Sequence, residues 1–236
     1  MRLKWYGHAS FLITTGDGTT IITDPFTPET SGYPAVEDAP DIVIMSSDND
    51  LFHCRADLIP GHPVVINALE VARSGQARAA KGITFTGIAV MEALDHRYHA
   101  PDANAMYRFT VDGMSIGHMG DMGNPLDQSQ LDFFKGVDVF LALAGGHPTI
   151  ELDDLKRALD VIKPRLIVPM HFQTLTYKPR NCHWIETFLG YFDPSEVDLA
   201  SHYEVEIAPE SLPQTTRVLV LDYVHQRPAL VPSASR

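Results

Sequence analysis

The sequence predicts a layered α/β protein with mostly buried sheets, and three observations carry that prediction. Strand-rich segments fill the first half of the chain, and strand and helix patterns alternate in the second. DIVIM at 41–45, the stretch 137–144 and LIVP at 166–169 are continuous apolar runs, as expected of strands covered on both faces. The 236 residues are 44% apolar and only 20% charged, enough to close one full-sized core. That composition excludes disorder, collagen and coiled coil. With no internal repeat, low-complexity tract or linker, the expectation is a single domain over residues 1–236.

Leu3–Tyr6, Ser10–Thr14 and Thr19–Thr23 read as strands, with Gly16-Asp17-Gly18 turning the last two into a hairpin that ends at Asp24-Pro25. Asp41–Met45, Val64–Ile66, Ile83–Leu94, Ala105–Val111 and Met114–His118 continue the strand series. Asn124-Pro125 as cap and first turn, with Gly136 as stop, predicts a helix over Pro125–Lys135. After the strand Val137–Ala144, Thr149 is the expected cap of a helix reaching Lys163. Its acids come first, its bases last, and Leu152, Leu155, Leu159 and Ile162 share one face. Leu166–Pro169 is a strand, Trp184–Leu189 a helix, and Tyr203–Ala208 and Arg217–Val224 are the closing strands.

Charge narrows the function classes. Eighteen Lys and Arg against 30 Asp and Glu give a net charge of −12, which argues against gripping nucleic acid or anionic lipid. No apolar run reaches the roughly 18–20 residues that span a bilayer. The opening MRLKWYGHAS lacks a signal-peptide core. Two cysteines, Cys54 and Cys182, make no disulfide framework, so a reducing cytoplasm is expected. A small molecule is the expected substrate.

Polar residues just beyond buried strands can be pointed into a shared crevice. Four places qualify: His8 with Asp24; the stretch Ser46–His53, with Asp48, Asp50 and His53; His118–Gly123, with Asp121; and His171. Singly, each histidine could be a surface residue and Asp121 a turn residue before a helix. Eleven histidines in an acidic chain make a metal site worth seeking.

Taken in order, longer segments carry a resemblance. WYGHASFLI, DGTTIITDP, HMGDMGNPL, VDVFLALAGGHPTIELDD and KPRLIVPMHF resemble, over nearly the whole chain, the metallo-β-lactamase-fold hydrolases, in particular their UlaG-like branch of metal-dependent hydrolases. The resemblance implies a four-layer αββα sandwich with its site at one edge of two sheets. It implies a metal-bridging Asp121, a last metal-binding histidine at His171, Asp24 orienting a ligand, and His8 near the site. There His8 could donate to substrate or a developing anion; alternatively it packs at the hairpin's base. The implied chemistry is hydrolysis by a water activated on one or two divalent ions, zinc or manganese, with magnesium or iron as further options. A homo-oligomer is implied by the same branch. The fold serves lactone, phosphodiester, thioester and β-lactam hydrolysis, so the substrate does not follow from it.

The family's T-H-x-H-x-D-H signature is altered. In the direct register its histidines become Ser47, Asn49 and Phe52, and its aspartate Leu51. Slid by one residue, the positions hold Asp48, Asp50, Phe52 and His53, an oxygen-rich set that shifts preference toward manganese or magnesium. For the next ligand the candidates are Glu92, His96 and His99. His118 is expected to support the ligands from behind and His147, on the loop after Gly145-Gly146, to touch substrate. Cys54 could bind zinc but reads more simply as a small buried residue, and His62, His183, His202 and His225 are read as structural. Two functions follow: a hydrolase with a variant metal site (catalytic groups Asp121, His8 and Asp48), or a protein of the same fold that has lost its metal and binds a ligand or partner.

Overall fold

The computed structural model describes residues 1–92 and 103–224. In chain order the first half contributes β1 (Arg2–Gly7), β2 (Ser10–Thr14), β3 (Thr20–Thr23), the single turn α1 (Pro28–Ser31), β4 (Ile42–Met45), β5 (Val64–Asn67), α2 (Ala68–Ser74), β6 (Arg78–Ala80), β7 (Ile83–Val90), β8 (Asn104–Val111) and β9 (Met114–His118). The second half contributes α3 (Gln128–Phe133), β10 (Val139–Leu143), α4 (Leu152–Ile162), β11 (Leu166–Met170), α5 (Ile185–Leu189), β12 (Val197–Leu199), β13 (Glu204–Glu206) and β14 (Arg217–Val220).

The strands form two mixed sheets. One has six strands in the order β13-β1-β2-β3-β4-β5, the other eight in the order β12-β14-β11-β10-β9-β8-β7-β6. Strand alternation sorts the six-stranded sheet into two faces. Leu3, Trp5, Phe11, Ile13, Ile21, Ile42 and Ile44 point into the main core, where they meet Phe85, Phe109 and Ile116 of the other sheet. Tyr6, Leu12, Ile22 and Val43 point the opposite way, into a smaller cluster closed by Phe26, Tyr33, Val36 and Ile59. On the far side of the eight-stranded sheet, α4 buries Leu155, Leu159 and Ile162, and Phe188 of α5 is also buried. The chain is thus an α/β protein of two mixed sheets packed face to face, as expected.

Strand centres match the sequence expectations, and so does the helix expected over Trp184–Leu189, found as α5 after a Trp184 cap, but the starts of the two earlier helices do not. The helix expected over Pro125–Lys135 is shorter, because Asp127 is the real cap: it accepts from the Gln130 N–H, and Gln130 returns the bond to the Asp127 N–H. Asn124 instead donates to the Met91 carbonyl. Thr149 does not cap α4. Its hydroxyl and its N–H both bond the Gly146 carbonyl, and the helix starts at Leu152 with Glu151 before it. Lys163 lies in the left-handed cap at φ 52° rather than in the last turn. The expected strand Ile83–Leu94 ends at Val90, and the last strand ends at Val220 rather than Val224. Helix α2 was not expected; Asn67 caps it through bonds from the Leu69 and Glu70 N–H groups, and Gly75 closes it. Among the described residues no helix is long and apolar enough to cross a membrane.

β1, β3 and β4 run one way, and β9, β10 and β11 run parallel to one another. The residues that follow β1, β3, β4, β9 and β11 are the ones that assemble the site.

Candidate metal centre

His8 occupies the turn between β1 and β2. Gly7 before it has φ 112°, and a Cβ there would sit 2.4 Å from the Tyr33 ring, so only glycine lets the chain pass. His8 itself has φ 53°, and its carbonyl accepts from the Trp5 indole (3.1 Å) and from the His171 N–H (3.0 Å). His171 follows β11 at φ 56°, so this backbone bond ties the two histidines across the two sheets. Two histidines in the left-handed region at one place suggest a functional constraint on that backbone. Asp121 follows β9 after Gly120, whose Cβ would meet the Ala105 carbonyl at 2.4 Å; the Asp121 N–H donates to Asn104 Oδ1 (3.0 Å). His53 ends the loop after β4. Asp50 shapes that loop by accepting from the N–H groups of Phe52 (2.5 Å) and His53 (2.6 Å).

These side chains converge. One ligand atom from each of His8, His53 and His171 lies within 4.8 Å of the others, and all three residues are buried. The ring centroids of His8 and His171 are 3.9 Å apart. Asp121 reaches both remaining imidazoles, Oδ1 lying 3.3 Å from His171 Nε2 and Oδ2 3.7 Å from His53 Nδ1. Every imidazole is also held at one nitrogen from outside the cluster: His53 Nδ1 by Asp50 Oδ2 (3.2 Å), His8 Nε2 by the Tyr177 hydroxyl (3.3 Å), His171 Nδ1 by Cys182 Sγ (3.7 Å). The opposite atoms, His8 Nδ1 and His53 Nε2, are buried with no hydrogen-bond partner among the described residues. Buried polar atoms are rarely left so, and converging imidazole and carboxylate atoms are the donors a divalent metal takes. The residues present fit such an ion.

Electrostatics agree. Burial opposes ionisation of Asp121, but His53 and His171 hold its carboxyl below the usual range. Burial also works against charge on the two histidines; the neighbouring carboxylates win, Asp121 and Asp50 raising His53 to about 9 and Asp121 raising His171 to about 10. His8 is different: burial, then the neighbouring imidazoles, push it well below the ordinary value, so it is neutral. Glu92 lines the same cavity, and burial with the Asp121 charge raises it to about 7.

The other sequence candidates fall out as follows. Asp48 is a correction: its side chain is exposed and accepts from Asn67 Nδ2 (3.4 Å), because the loop turns at Asp50 and leaves Asp48 outside. Asp50, expected as a second oxygen ligand, is likewise corrected: its carboxylate is taken up by the Phe52 and His53 N–H groups and by His53 Nδ1, so the donor set is rich in nitrogen rather than oxygen. His147 is a second correction; exposed, it lies 4.0 Å from Glu151 and does not line the cavity, though Pro148 does. Asp24 is fully buried, with burial raising it to about 7, and it accepts from the Ser46 N–H (2.8 Å) and hydroxyl (2.6 Å), which anchors the start of the 46–53 loop. His118 stacks on Tyr107, its Nδ1 accepting from the Gly120 N–H and its Nε2 facing the Ala9 carbonyl; burial lowers it to about 3. Asp24 and His118 lie behind the cluster and do not line its cavity. Cys54 bonds the Asp50 backbone instead of reaching the cluster. His96, His99 and His225 lie outside the described residues. Sequence reasoning missed Tyr177 and Cys182, which sit in an irregular segment after His171 where no periodicity or spacing marks a side chain's direction.

The profile of the Beta-lactamase superfamily domain matches residues 2–171, which runs from the first strand to the last histidine of the cluster. The chain belongs to the beta-lactamase superfamily. Within the superfamily it is similar to a UPF0173 metal-dependent hydrolase of Methanoculleus marisnigri, 27% identical over 226 residues that cover 89% of this chain and 98% of the relative. A UPF0173 metal-dependent hydrolase of Anaeromyxobacter sp. (strain K) is 26% identical over 205 residues, covering 73% of this chain and 75% of the relative. Among solved structures, a proposed zinc-dependent hydrolase of the metallo-beta-lactamase superfamily from Thermotoga maritima matches with a TM-score of 0.73 and 26% identity, covering 94% of this chain and 99% of that one. The fold is the metallo-beta-lactamase fold, and in superfamily terms the histidine cluster sits where strand ends of both sheets meet.

Proposed function

We propose that this protein is a metal-dependent hydrolase whose single ion is held by His8, His53, His171 and Asp121, and whose substrate is a small-molecule ester, lactone or phosphodiester. One observation carries the reading: three buried imidazoles, each engaged on one nitrogen by an outside partner, bring a ligand atom apiece to within 4.8 Å of one another beside the Asp121 carboxylate. The names of the relatives support it. Three imidazoles and a carboxylate suit zinc better than manganese or magnesium.

When bound, a divalent ion at such a site supplies Lewis acidity and brings a water's pKa toward neutrality. The chain's own groups do the rest. Asp121 balances charge within the cluster. Asp50 fixes the tautomer of His53 by accepting from Nδ1–H. Glu92 lines the cavity beside the cluster, where its carboxyl can exchange a proton with the leaving oxygen. Phe52 and Tyr177 line the cavity and keep bulk water off the cluster.

The test is the metal content of the purified protein by plasma mass spectrometry, beside His53→Ala, Asp121→Ala and His171→Ala. Near-stoichiometric zinc that each substitution removes is the expected result. A protein that takes up neither zinc nor manganese on incubation would sink the reading and leave the metal-free ligand-binding alternative.

A further inference from the structure

The cavity over the cluster holds about 200 Å³, below the roughly 300–1,000 Å³ of drug-sized ligand sites. Besides the metal cluster, its described walls are Phe52, Tyr177, Pro148 and Pro179, with Glu92 and Asn181 as the polar members. No lysine or arginine lines it among the described residues. The cations nearest in sequence are engaged elsewhere: Arg180, between two lining residues, is exposed and donates to the Leu175 carbonyl (2.9 Å), and Lys178 donates to the Glu29 carbonyl (2.7 Å). Phosphate and carboxylate recognition needs clustered N–H donors, as guanidinium forks, ammonium groups or helix N-termini. The described walls offer one side-chain amide, Asn181.

Charge points the same way. The positive charge of a divalent ion is cancelled by the Asp121 carboxylate and by Asp50 behind His53, and Glu92 can only add negative charge. At long range the net charge of −12 adds a field that repels anions.

We infer that this cavity selects an uncharged occupant, a small neutral ester or lactone, and turns away substrates that carry phosphate or carboxylate. The inference rests on the hydrolase reading for its reaction. Water adds across the acyl C–O bond: its oxygen joins the carbonyl carbon, one proton leaves with the alcohol, and the other is released as the acid ionises. Selection follows from the walls, because an anion entering would exchange full hydration for apolar rings and carboxylates.

The experiment compares methyl 4-acetoxybenzoate with 4-acetoxybenzoate on the zinc-loaded protein, two aryl acetates that differ by one charge held too far across the ring to attack the ester, each read against its own uncatalysed rate. A calorimetric titration with inorganic phosphate accompanies it. The neutral ester should win in kcat/KM by ~10-fold or more at low ionic strength, the margin shrinking with added salt, and millimolar phosphate should give no binding heat. Equal or faster turnover of the carboxylate-bearing ester, or tight phosphate binding, overturns the inference while the hydrolase reading stands. If neither ester is turned over above the metal-free protein, the hydrolase reading fails instead. The phosphate titration then decides alone: silence supports selection against anions, and binding overturns it.

Discussion

Each imidazole of the cluster is held by a different chemistry, and the three supports differ in strength. Asp50 offers His53 a carboxylate that also accepts from two backbone N–H groups of the same loop. Tyr177 offers His8 a neutral hydroxyl, and Cys182 offers His171 a sulfur at 3.7 Å. Charge-assisted bonds are the stronger class, so Asp50→Asn should cost more metal affinity than Tyr177→Phe, each within ~10–100-fold. Competition with a chelating dye measures both, and a Tyr177→Phe protein with unchanged affinity would remove Tyr177 from the account of His8. Protons set a further expectation. His53 at about 9 and His171 at about 10 lie above the ~6.5 of an unfolded histidine. Their contribution to the stability of the metal-free protein is therefore complete below ~6.5 and lost as pH climbs through their folded values. Metal affinity should move oppositely, rising as protons cease to compete. Denaturation midpoints of chelator-treated protein and dye titrations across that range should slope in opposite directions; parallel slopes would contradict the paired-imidazolium picture. At this scale the sequence marked Asp121, His171, His53 and His8, but could not tell Asp48 from Asp50. That choice is made by where the loop after β4 bends, and the bend depends on the long-range anchor from Ser46 to Asp24.

At the scale of elements, buried strands were legible because continuous apolar runs have few other uses, as in β10 and β11, whose residues are buried throughout. Helix starts were harder, because caps compete locally. Asn124, Asp127, Thr149 and Asn67 all have cap chemistry; the structure uses Asp127 and Asn67, while Asn124 and Thr149 bond loop carbonyls. α2 escaped notice because β5 runs into it with no intervening turn, Asn67 being both the last strand residue and the cap. That dual position makes a test. Asn67→Ala strips the acceptor of two N–H groups and should cost about 1 kcal/mol by urea denaturation; metal affinity should change little, because the other bond it removes, the long one to Asp48, ends on an exposed carboxylate outside the cavity. A change beyond ~2 kcal/mol would mean that the cap also holds β5 in the sheet.

For the whole molecule, the cluster joins the sheets at one edge. His8 follows a strand of the six-stranded sheet and His53 the loop after another, whereas Asp121 and His171 follow strands of the eight-stranded sheet. The carbonyl of His8 accepting from the His171 N–H is a direct backbone link between those halves at the site. An ion bound by all four groups holds both sheets in the same way, and the unfolded chain cannot reproduce it. Ligands that bind only the native state stabilise by mass action, ~2.7 kcal/mol at a hundredfold excess over Kd. In a chain of this size each kcal/mol moves Tm by about 2–4 °C. EDTA should therefore lower the wild-type Tm by ~5–10 °C. His171→Ala deletes one donor but leaves its backbone N–H in place, so it should start lower than the loaded wild type and respond little to EDTA. An equal EDTA response in both would show that the stabilising ion sits elsewhere, and the strand ends would then owe their meeting to packing and backbone bonds alone.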